Sequence, residues 1–553
     1  MSESVAPSKT FGEVCRNIAE RIIDESITDE DGVERVKREE CSKVDNLSDF
    51  PRNNDVIQHT PDSHRDYIEK ALQRKPVRTI SGVSPVAIMT SPKMCPHGKC
   101  LYCPGGPASE FSSSQAYTGH EPAAARGKHT DYDPYLQTIL RLEQLRNIGH
   151  PVNKIELIVM GGTMTSRSHD YQVWFVKRAL QAMNDYSPET VEPNPSNAER
   201  LFKPEKNSWE YLENVKTKNE TNNIRCIGIT FETKPDWCGQ EQIDRMLRLG
   251  GTKTEIGVQT TYERINREMH RGHGVEASIT ANKKLRDSGF KVGFHMMPGQ
   301  PGMSKEMCIQ DFKEIYSQPT WKPDYLKIYP TLVVEGTRVY DSWHNGEFNP
   351  LSSDEAATVV AKAMKNTPPY VRIQRVQRDI PADYIEGGVQ KSNLRQLAWQ
   401  KLEEMNESCN CIRCREVGHA DGIPTNVELD SMQYSACGGE EYFISIEDFD
   451  KNILVGFARL RIPDNPHREE LSNDTAIVRE LHVYGNETEI GSVSNTDWQH
   501  QGYGQQLIRK AEHIAEENGF SKISVISGIG VREYYRNKLD YHQDGIYVSK
   551  KLN

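Results

Sequence analysis

Three cysteines with metal-binding spacing lie in one short run, Cys95-Pro-His-Gly-Lys-Cys100-Leu-Tyr-Cys103-Pro-Gly-Gly. Three thiolates can hold three irons of a four-iron cluster and leave the fourth iron open to a small ligand. Structural zinc is the alternative, and it needs a fourth protein ligand, for which His97 is available. The run directly follows a predicted β-strand. This position favours the iron–sulfur interpretation, because a closed zinc knuckle needs no barrel beneath it.

A second group, Cys409, Cys411 and Cys414, places three thiols within six residues much later in the chain. Such clustering in a large chain indicates metal ligation more often than disulfide formation. His419 is the nearest candidate for a fourth ligand, and Cys437 is the alternative. Zinc and a second iron–sulfur cluster both suit these donors.

A glycine-containing run, Gln499-His-Gln501-Gly502-Tyr503-Gly504, lies between a predicted strand and a predicted helix. Glycines let backbone N–H groups approach a pyrophosphate without a Cβ in the way, and a helix N-terminus favours an anion. The pattern alone is weak, since an ordinary helix-starting loop looks the same.

The elements that must position these groups follow a repeating pattern of a short β-rich run, a loop and an amphipathic helix. Six such units predict an α/β fold, a partial (βα)6 TIM-like barrel with its sites at the carboxyl ends of the strands. A mixed run of strands with one long helix then predicts a compact α+β domain. The predicted barrel strands are Pro85–Thr90, Lys154–Met160, Arg225–Phe231, Thr252–Val258, Lys291–Met297 and Tyr325–Tyr329. The predicted helices include Val275–Asp287.

These patterns divide the chain into four parts. Residues 1–74 form an acidic, helical accessory region, and residues 75–346 form the barrel. Residues 347–425 form a helical linker that carries the second cysteine group, and residues 426–553 form the α+β domain.

Composition restricts the functional classes. The chain has 553 residues, 36% of them hydrophobic and 27% charged, as in soluble globular proteins. No apolar run approaches membrane-spanning length and no signal peptide is recognisable, so we expect a cytoplasmic protein without a membrane partner. The net charge of −11, from 68 basic and 79 acidic residues, means that any nucleic-acid site must be a local basic patch.

Several further motifs occur in a fixed order. With the cysteine spacing, they resemble the radical S-adenosylmethionine (SAM) superfamily and, within it, the catalytic-subunit family of Elongator in its archaeal or bacterial form. The motifs include Lys75-Pro-Val-Arg-Thr, Tyr117-Thr-Gly, Met160-Gly-Gly-Thr, Glu255-Ile-Gly-Val-Gln, Leu326-Lys-Ile-Tyr-Pro-Thr and Arg375-Val-Gln-Arg-Asp-Ile-Pro.

The resemblance implies a 4Fe-4S cluster on Cys95, Cys100 and Cys103. It also implies SAM binding, with roles for Gly161, Gly162, Thr163 and Glu232. The second cysteine group resembles the zinc-binding linker of the family, which implies a structural zinc on Cys409, Cys411, Cys414 and His419.

The glycine run resembles the Q-x-x-G-x-G motif of GNAT acetyltransferases, which bind acetyl-CoA. Val531-Arg-Glu-Tyr534-Tyr535 matches the helix whose tyrosine approaches the thioester in that family, and we expect Tyr535 to be the proton donor. Asp540 stands where relatives commonly have Gly, which casts doubt on the local turn. The implied acetyl-CoA residues are Lys327, Glu480, Leu481, His482, Val483, Gln499, Gln501, Gly502, Tyr503, Gly504, Tyr534 and Tyr535.

Lys327 lies among apolar residues on the sixth predicted strand and should point into the barrel. A buried lysine is costly unless it is paired, so we expect a catalytic role, with a buried salt bridge as the alternative.

Basic residues recur beside the motifs, and gathered around one cleft they would bind the backbone of a tRNA anticodon stem-loop. Tyr102 and Tyr117 are candidates for stacking on unpaired bases. The predicted tRNA-binding residues are Lys75, Arg78, Arg267, Arg271, Arg372, Arg375, Arg378 and Arg395.

The resemblance implies the reaction. Reductive cleavage of SAM yields a 5′-deoxyadenosyl radical that abstracts hydrogen from the methyl group of acetyl-CoA. The carbon radical adds to carbon 5 of the wobble uridine, and hydrolysis leaves a carboxymethyl group. An electron donor is required, and accessory subunits or self-association are possible. The alternatives are a histone-type protein lysine acetyltransferase with the barrel as scaffold, and a non-catalytic tRNA-binding protein.

Overall fold

The computed structural model describes residues 11–44, 50–51, 53–72, 82–187, 202, 208–420, 422–484 and 502–553. The predicted site residues Lys75, Arg78, Gln499 and Gln501 lie outside the described residues.

The first described segments fold into helices with a small core of their own. Val14, Ile18 and Ile22 lie at helical spacing on the first helix and are buried against Val36 and Ile68 of later helices. The helices of this region are Phe11–Asp24, Glu30–Ser42, Asn53–Gln58 and Arg65–Leu72.

A seven-stranded sheet forms the central module. Its strands follow chain order from β1 to β7, and every neighbouring pair is parallel. This confirms the predicted partial barrel. The strands are β1 (Ser84–Met89), β2 (Lys154–Met160), β3 (Arg225–Thr233), β4 (Lys253–Gln259), β5 (Lys291–Met296), β6 (Tyr325–Ile328) and β7 (Arg372–Val376).

The seventh strand corrects the prediction of six, because it lies in residues 347–425, for which the sequence predicts only helices. It is five residues long and pairs with β6 through Tyr325–Arg372 and Ile328–Val376. Its sequence, Arg-Ile-Gln-Arg-Val, is too short and polar to predict a buried strand, so the neighbouring strand decides its conformation.

Helices connect the strands and cover the outside of the sheet. Val275–Asp287 has the predicted bounds, and its buried Ala281 and Leu285 lie one helical turn apart. The described α-helices of this module are Pro122–His129, Pro134–Asn147, His169–Asp185, Ser208–Glu220, Gln240–Arg248, Glu263–Glu268, Val275–Asp287, Lys305–Ser317, Arg338–His344, Ser353–Lys365, Leu394–Glu404 and Ile412–Arg415.

The C-terminal module is a mixed sheet with strand order β13-β14-β12-β11-β10-β9-β8. The pairing of β11 with β12 is parallel and ends at Val478–Val525, so no strand among the described residues pairs with the rest of β11 on that side. Tyr503–Glu517 and Arg532–Leu539 are its helices. The strands are β8 (Glu428–Ala436), β9 (Gly439–Asp448), β10 (Ile453–Ile462), β11 (Thr475–Val483), β12 (Lys522–Val525), β13 (His542–Asp544) and β14 (Tyr547–Lys551).

Buried ion pairs join the two modules. Arg479 of β11 donates to both carboxylate oxygens of Asp324, which precedes β6, at 2.7 and 2.8 Å. Burial would raise the pKa of Asp324, but Arg286, Arg479 and Arg459 outweigh it and hold that pKa far below its ordinary value. Removing one partner would leave a buried charge uncompensated, so this network holds the modules in one arrangement. Its members are Arg286, Arg459, Arg461, Arg479, Asp287, Asp324, Glu441 and Glu480.

Within the described ranges, none of the helices has the length and apolarity that crossing a membrane requires.

Candidate functional site

The loop after β1 presents the first three cysteines to the carboxyl ends of the barrel strands. Cys100 and Cys103 are buried, and Cys95 is half-buried. Thr163 Oγ1 donates to Cys95 Sγ at 3.3 Å, and the Ala116 N–H donates to Cys103 Sγ at 3.1 Å. Burial raises the pKa of the Cys103 thiol to about 11. A metal must therefore displace protons here, and the donors are placed to stabilise the resulting thiolates.

The spacing of these thiols fits a cluster better than a single zinc ion. Thiolates around one tetrahedral zinc lie about 3.8 Å apart, since each Zn–S bond is about 2.3 Å. Among the described residues, Cys95, Cys100 and Cys103 do not form a group whose ligand atoms all lie within 4.8 Å of one another. His97 Nε2 lies 3.2 Å from Cys100 Sγ, as a hydrogen-bond partner. Burial lowers the pKa of His97 to about 4, with Lys234 and Arg271 acting in the same direction.

The predicted SAM glycines adopt backbone conformations that favour glycine. Gly161 has φ +119°, and a Cβ there would lie 2.3 Å from Thr90 Oγ1. Gly162 has φ +66°, and a Cβ there would lie 3.7 Å from Cys95 Sγ. The turn after β2 therefore places backbone without side chains, at Gly161 and Gly162, beside the cysteine loop. Thr163 of the same turn contacts Cys95.

Lys327 lies in the barrel lumen between two carboxylates. Its Nζ is 2.8 Å from Glu232 Oε1 and contacts Glu255 Oε2. His295 Nε2 lies 2.9 Å from the same oxygen of Glu255, and Tyr117 OH donates to Glu232 Oε2 at 2.9 Å. Burial would lower the pKa of Lys327, but Glu232 and Glu255 outweigh it and raise that pKa above its ordinary value. The buried salt bridge considered from sequence is therefore present, and Glu232 is already engaged by two protein donors.

Polar contacts continue from the lumen to the C-terminal module. Lys253 Nζ lies 3.5 Å from Glu255 Oε1 and 4.8 Å from the centre of the Tyr325 ring. Tyr325 OH in turn donates to Glu480 of β11, which also accepts from Arg459 Nε at 2.8 Å. Buried side chains thus connect the barrel lumen with the strand that carries predicted acetyl-CoA residues.

Three predicted acetyl-CoA residues meet at the start of the helix Tyr503–Glu517. A Cβ on Gly504 would lie 2.8 Å from Tyr534 OH and 3.9 Å from Leu481 Cδ2. Gly502, at the helix N-cap, has φ +78°. A side chain at Gly504 would therefore fill the space beside the Tyr534 hydroxyl.

Tyr535 has a different environment from Tyr534. It is only 4% exposed in the core of the C-terminal module, and its ring packs at 5.8 Å against Tyr541. Tyr534 is half-buried with its hydroxyl towards Gly504. Asp540 has φ +60°, so the predicted left-handed turn is made without glycine. His482 stacks between Phe457 and Tyr484, while Val483 ends β11.

The second cysteine group is compact. The sulfur atoms of Cys409, Cys411 and Cys414 lie within 4.8 Å of one another, and the Cys411–Cys414 pair is at 3.5 Å. Hydrogen bonds from Cys409 and Cys414 lower the pKa of the Cys411 thiol. The donor set fits a thiolate-bound zinc, and the Ile412 N–H bonds to the Val371 carbonyl just before β7.

The structure places the candidate fourth ligands elsewhere. His419 Nε2 lies 3.0 Å from Glu416 Oε1, and Cys437 Sγ accepts from Asn282 Nδ2 at 3.0 Å. Neither joins the thiol group among the described residues, so His419 is not brought to the metal by this fold.

The predicted tRNA-binding arginines do not form one patch. Arg271 is 6% exposed and contacts Cys100, which contradicts a role on an RNA-facing surface. Arg372 pairs with Glu416 and donates to Tyr484 OH between the modules, so it too is occupied. Arg372 is held in place by Glu416, whereas Arg271 is held by Cys100 and the Gly257 carbonyl.

Of the remaining arginines, Arg267 and Arg375 are exposed, whereas Arg378 and Arg395 are half-buried. Arg375 is 44% exposed beside Asp379. Arg378 donates to the Ala116 carbonyl, and Arg395 donates to that of Ile373. Arg267 is exposed and lines a cavity of about 850 Å³, together with Lys99, Cys100, His270 and Arg338. Tyr102 is buried, which contradicts stacking on a base, whereas Tyr117 is half-buried.

Sequence reasoning missed Glu255 and His295 as lumen residues. Both lie on strands of otherwise buried side chains, at positions paired with other lumen residues, as in His295–Lys327. The available signal was a titratable residue within a barrel strand, at a position whose side chain points to the same face of the sheet as Lys327.

Comparison with known proteins agrees with this architecture. The Radical SAM superfamily model matches residues 89–315 and the Radical_SAM C-terminal domain matches 323–404. The Acetyltransferase (GNAT) family matches residues 412–541, and the ELP3 N-terminal domain matches 11–80.

Full-length relatives are also found. The chain is 46% identical over 551 residues to the tRNA uridine(34) acetyltransferase of Methanocaldococcus jannaschii, covering 97% of this chain and 98% of that protein. It is 42% identical over 530 residues to Elongator complex protein 3 of Dictyostelium discoideum, with 94% and 91% covered. The solved structure of the archaeal Methanocaldococcus infernus Elp3 with an N-terminal deletion (1–46) aligns with a TM-score of 0.72 and 43% identity, over 86% of this chain and all of that one.

Proposed function

Because the chain belongs to the family of Elongator complex protein 3 and the archaeal tRNA uridine(34) acetyltransferases, we propose that it uses SAM and acetyl-CoA to attach a carboxymethyl group to carbon 5 of the tRNA wobble uridine. The observation that carries this proposal is the buried contact of Tyr325 with Glu480, which links the lumen of the barrel to the acetyltransferase module. One polypeptide thus holds a site for a radical-forming cofactor and a site for an acetyl donor in continuous contact.

Cys95, Cys100 and Cys103 would hold a 4Fe-4S cluster. When bound, that cluster supplies the electron that cleaves SAM and starts carbon-radical chemistry. The chain's own contribution is positioning: Gly161 and Gly162 leave backbone open to the methionine part of SAM, and Thr163 orients Cys95.

The lumen residues would orient the reacting groups and exclude water. Lys327 pairs with Glu232 and Glu255 in a buried site, and Glu232 is the residue proposed to bind the ribose of SAM. Preorganised charges in a water-poor cavity act strongly on substrates because they do not reorganise during reaction.

Acetyl-CoA would bind where β11 separates from β12. The start of the helix Tyr503–Glu517 offers backbone N–H groups to the pyrophosphate, and Leu481 borders the same space. Tyr534 is better placed than Tyr535 to protonate the departing thiolate, because its hydroxyl faces Gly504 whereas Tyr535 packs in the core.

Replacing Tyr534 with Phe should therefore slow acetyl-CoA turnover by about 10²-fold, the lower range for loss of a general acid. KM for acetyl-CoA should change little, since only the hydroxyl is lost. Tyr535→Phe is the matched control and should retain most of the activity. A larger kcat loss in Tyr535→Phe would return the proton-donor role to that residue.

The proposed RNA surface consists of Arg267, Arg375, Arg378 and Arg395, with Lys75 and Arg78 as further candidates. The anticodon stem-loop is the proposed ligand, since the family acts on uridine(34) of tRNA. A one-electron donor is a required partner, and accessory subunits are proposed from the relatives named Elongator complex protein 3. All twelve cysteines are free, which suits the reducing cytoplasm.

We also propose a structural zinc on Cys409, Cys411 and Cys414. It would fasten the segment between β7 and the acetyltransferase sheet, where Val417 N–H bonds to the Leu454 carbonyl. Cys411→Ser should remove the metal, measured by elemental analysis, and lower the thermal midpoint by several degrees. Cys437→Ser, outside the group, should keep the metal. Full zinc content in Cys411→Ser would contradict this assignment.

The proposed function is tested by incubating the anaerobically reconstituted chain with SAM, acetyl-CoA, tRNA and a one-electron reductant such as dithionite, followed by nucleoside mass analysis. Carboxymethyluridine should form only when all four are present. Acetylated lysine in added protein without modified tRNA would support the rival acetyltransferase function, and RNA binding without any product would support a non-catalytic role.

A further inference from the structure

Arg271 is a buried cation at the cysteine loop. Its side chain is 6% exposed, and its Nη1 lies 3.5 Å from Cys100 Sγ. Its Nη2 donates to the Gly257 carbonyl at 2.7 Å and lies 3.3 Å from His273 Nε2. These contacts fix the guanidinium against one of the three cysteines proposed to hold the cluster.

Arg271 lacks the carboxylate partner that the four fully buried arginines between the modules have. Arg286, Arg459, Arg461 and Arg479 each lie within 4.0 Å of a carboxylate oxygen. No carboxylate in the described part of the chain pairs with Arg271 in this way. A guanidinium cannot release its proton under physiological conditions, so its charge remains inside the protein.

Neighbouring side chains do not supply the missing negative charge. Lys234, close to the same loop, is a second cation, and its carboxylate partner Asp236 lies 3.1 Å away. Burying a cation without an anionic partner is costly, so an anionic group bound at the cysteine loop would offset that cost.

We propose that Arg271 is the permanent counter-ion of the iron–sulfur cluster and a positioning residue that sets its reduction potential. This inference rests on the proposed cluster at Cys95, Cys100 and Cys103. A positive charge and a hydrogen bond at a ligand sulfur stabilise the more negative, reduced cluster, so Arg271 makes the cluster easier to reduce. It replaces the RNA-binding role that the sequence predicts.

The test compares wild type, Arg271→Met and Arg271→Lys as full chains reconstituted anaerobically with iron and sulfide. Redox titration followed by electron paramagnetic resonance gives the midpoint potential. Arg271→Met should lower the midpoint potential of the cluster. At the wild-type midpoint, the ratio of reduced to oxidised cluster should fall by about tenfold, which corresponds to a shift of about 59 mV for one electron. Arg271→Lys keeps the charge and should shift the potential much less. The control Arg264→Met, which removes an exposed charge on the preceding helix, should not shift it.

A second measurement separates this role from simple packing. Without iron, Arg271→Met should resist denaturant at least as well as wild type, because it removes an uncompensated charge. With iron, it should release the cluster faster. A packing role predicts destabilisation in both states and would overturn the proposal. If Arg271→Met holds no cluster, Arg271→Lys decides: retention of the cluster supports the proposal, and loss overturns it.

The outcomes also distinguish the inference from the proposed function. Wild type that holds no four-iron cluster would overturn both. Wild type that holds the cluster, with an unchanged potential in Arg271→Met, would overturn only the role of Arg271. Affinity for the anticodon stem-loop should be equal in all variants, and a selective loss of affinity with unchanged potential would assign Arg271 to RNA binding instead.

Discussion

Replacement of Cys100 by Ala is expected to reduce carboxymethyluridine formation to background. Two thiols cannot retain the proposed cluster firmly, and the cofactor supplies chemistry that no side chain here can replace. Cys100 also accepts the contacts of His97 and Arg271, so its removal leaves both without their partner. Iron content and nucleoside mass analysis on the same preparation would show both losses.

The matched control is Cys238→Ala. Cys238 is another buried thiol of the barrel, and its sulfur donates to the Lys234 carbonyl at 3.6 Å rather than contacting the cysteine loop. This control should keep its iron and its product. Acetyl-CoA binding should persist in Cys100→Ala, because that site lies in the other module. Wild-type amounts of modified tRNA from an iron-free Cys100→Ala would contradict the radical assignment.

Replacement of Lys327 by Met is expected to affect stability and activity together. The ammonium lies between Glu232 and Glu255, and its removal takes away the lysine that pairs with Glu232 while Glu255 keeps only Lys253 and His295 nearby. Breaking such a buried pair costs about 3 to 5 kcal/mol of unfolding free energy. Product formation should fall in parallel, because Glu232 would no longer be held in place. Denaturant titration and tRNA modification assays measure the two effects.

The pH dependence of this variant has a defined sign. In the wild type, burial would raise the pKa of Glu255, but Lys327 and Lys253 hold it well below its ordinary value. That stabilisation is present above the unfolded pKa of about 4.3 and is lost as the pH falls further. In Lys327→Met, burial disfavours the ionised Glu255 carboxylate. The difference in unfolding free energy between wild type and this variant should therefore widen from pH 4 to pH 7. Lys313→Met, at an exposed barrel position, should show no such trend, and a pH-independent difference would contradict the ion-pair explanation.

Much of the architecture could be predicted from the sequence. Strands β2 and β5 and the helix Val275–Asp287 have the predicted bounds within a residue, because apolar periodicity and local propensity agree there. The cysteine loop and the glycines Gly161 and Gly162 were also recognisable, since their chemistry requires fixed spacing and positive φ.

Other features depend on contacts distant in sequence and could not be predicted. Strand β7 is formed by pairing with the edge of β6. Arg271 is buried where it contacts Cys100 and the Gly257 carbonyl. The preference for Tyr534 over Tyr535 likewise follows from which ring enters the core. The sequence shows that a residue beside a motif is basic, but whether that residue is exposed or buried depends on the complete fold.

In the proposed reaction, the acetyl group of acetyl-CoA supplies the carbons that are joined to the wobble uridine. The most direct test supplies acetyl-CoA labelled with ¹³C at both acetyl carbons to the reconstituted chain with SAM, tRNA and a one-electron reductant. Both labelled carbons should appear in carboxymethyluridine, and only when the cluster is present. Unlabelled carboxymethyluridine, or label found only on protein lysines, would contradict it.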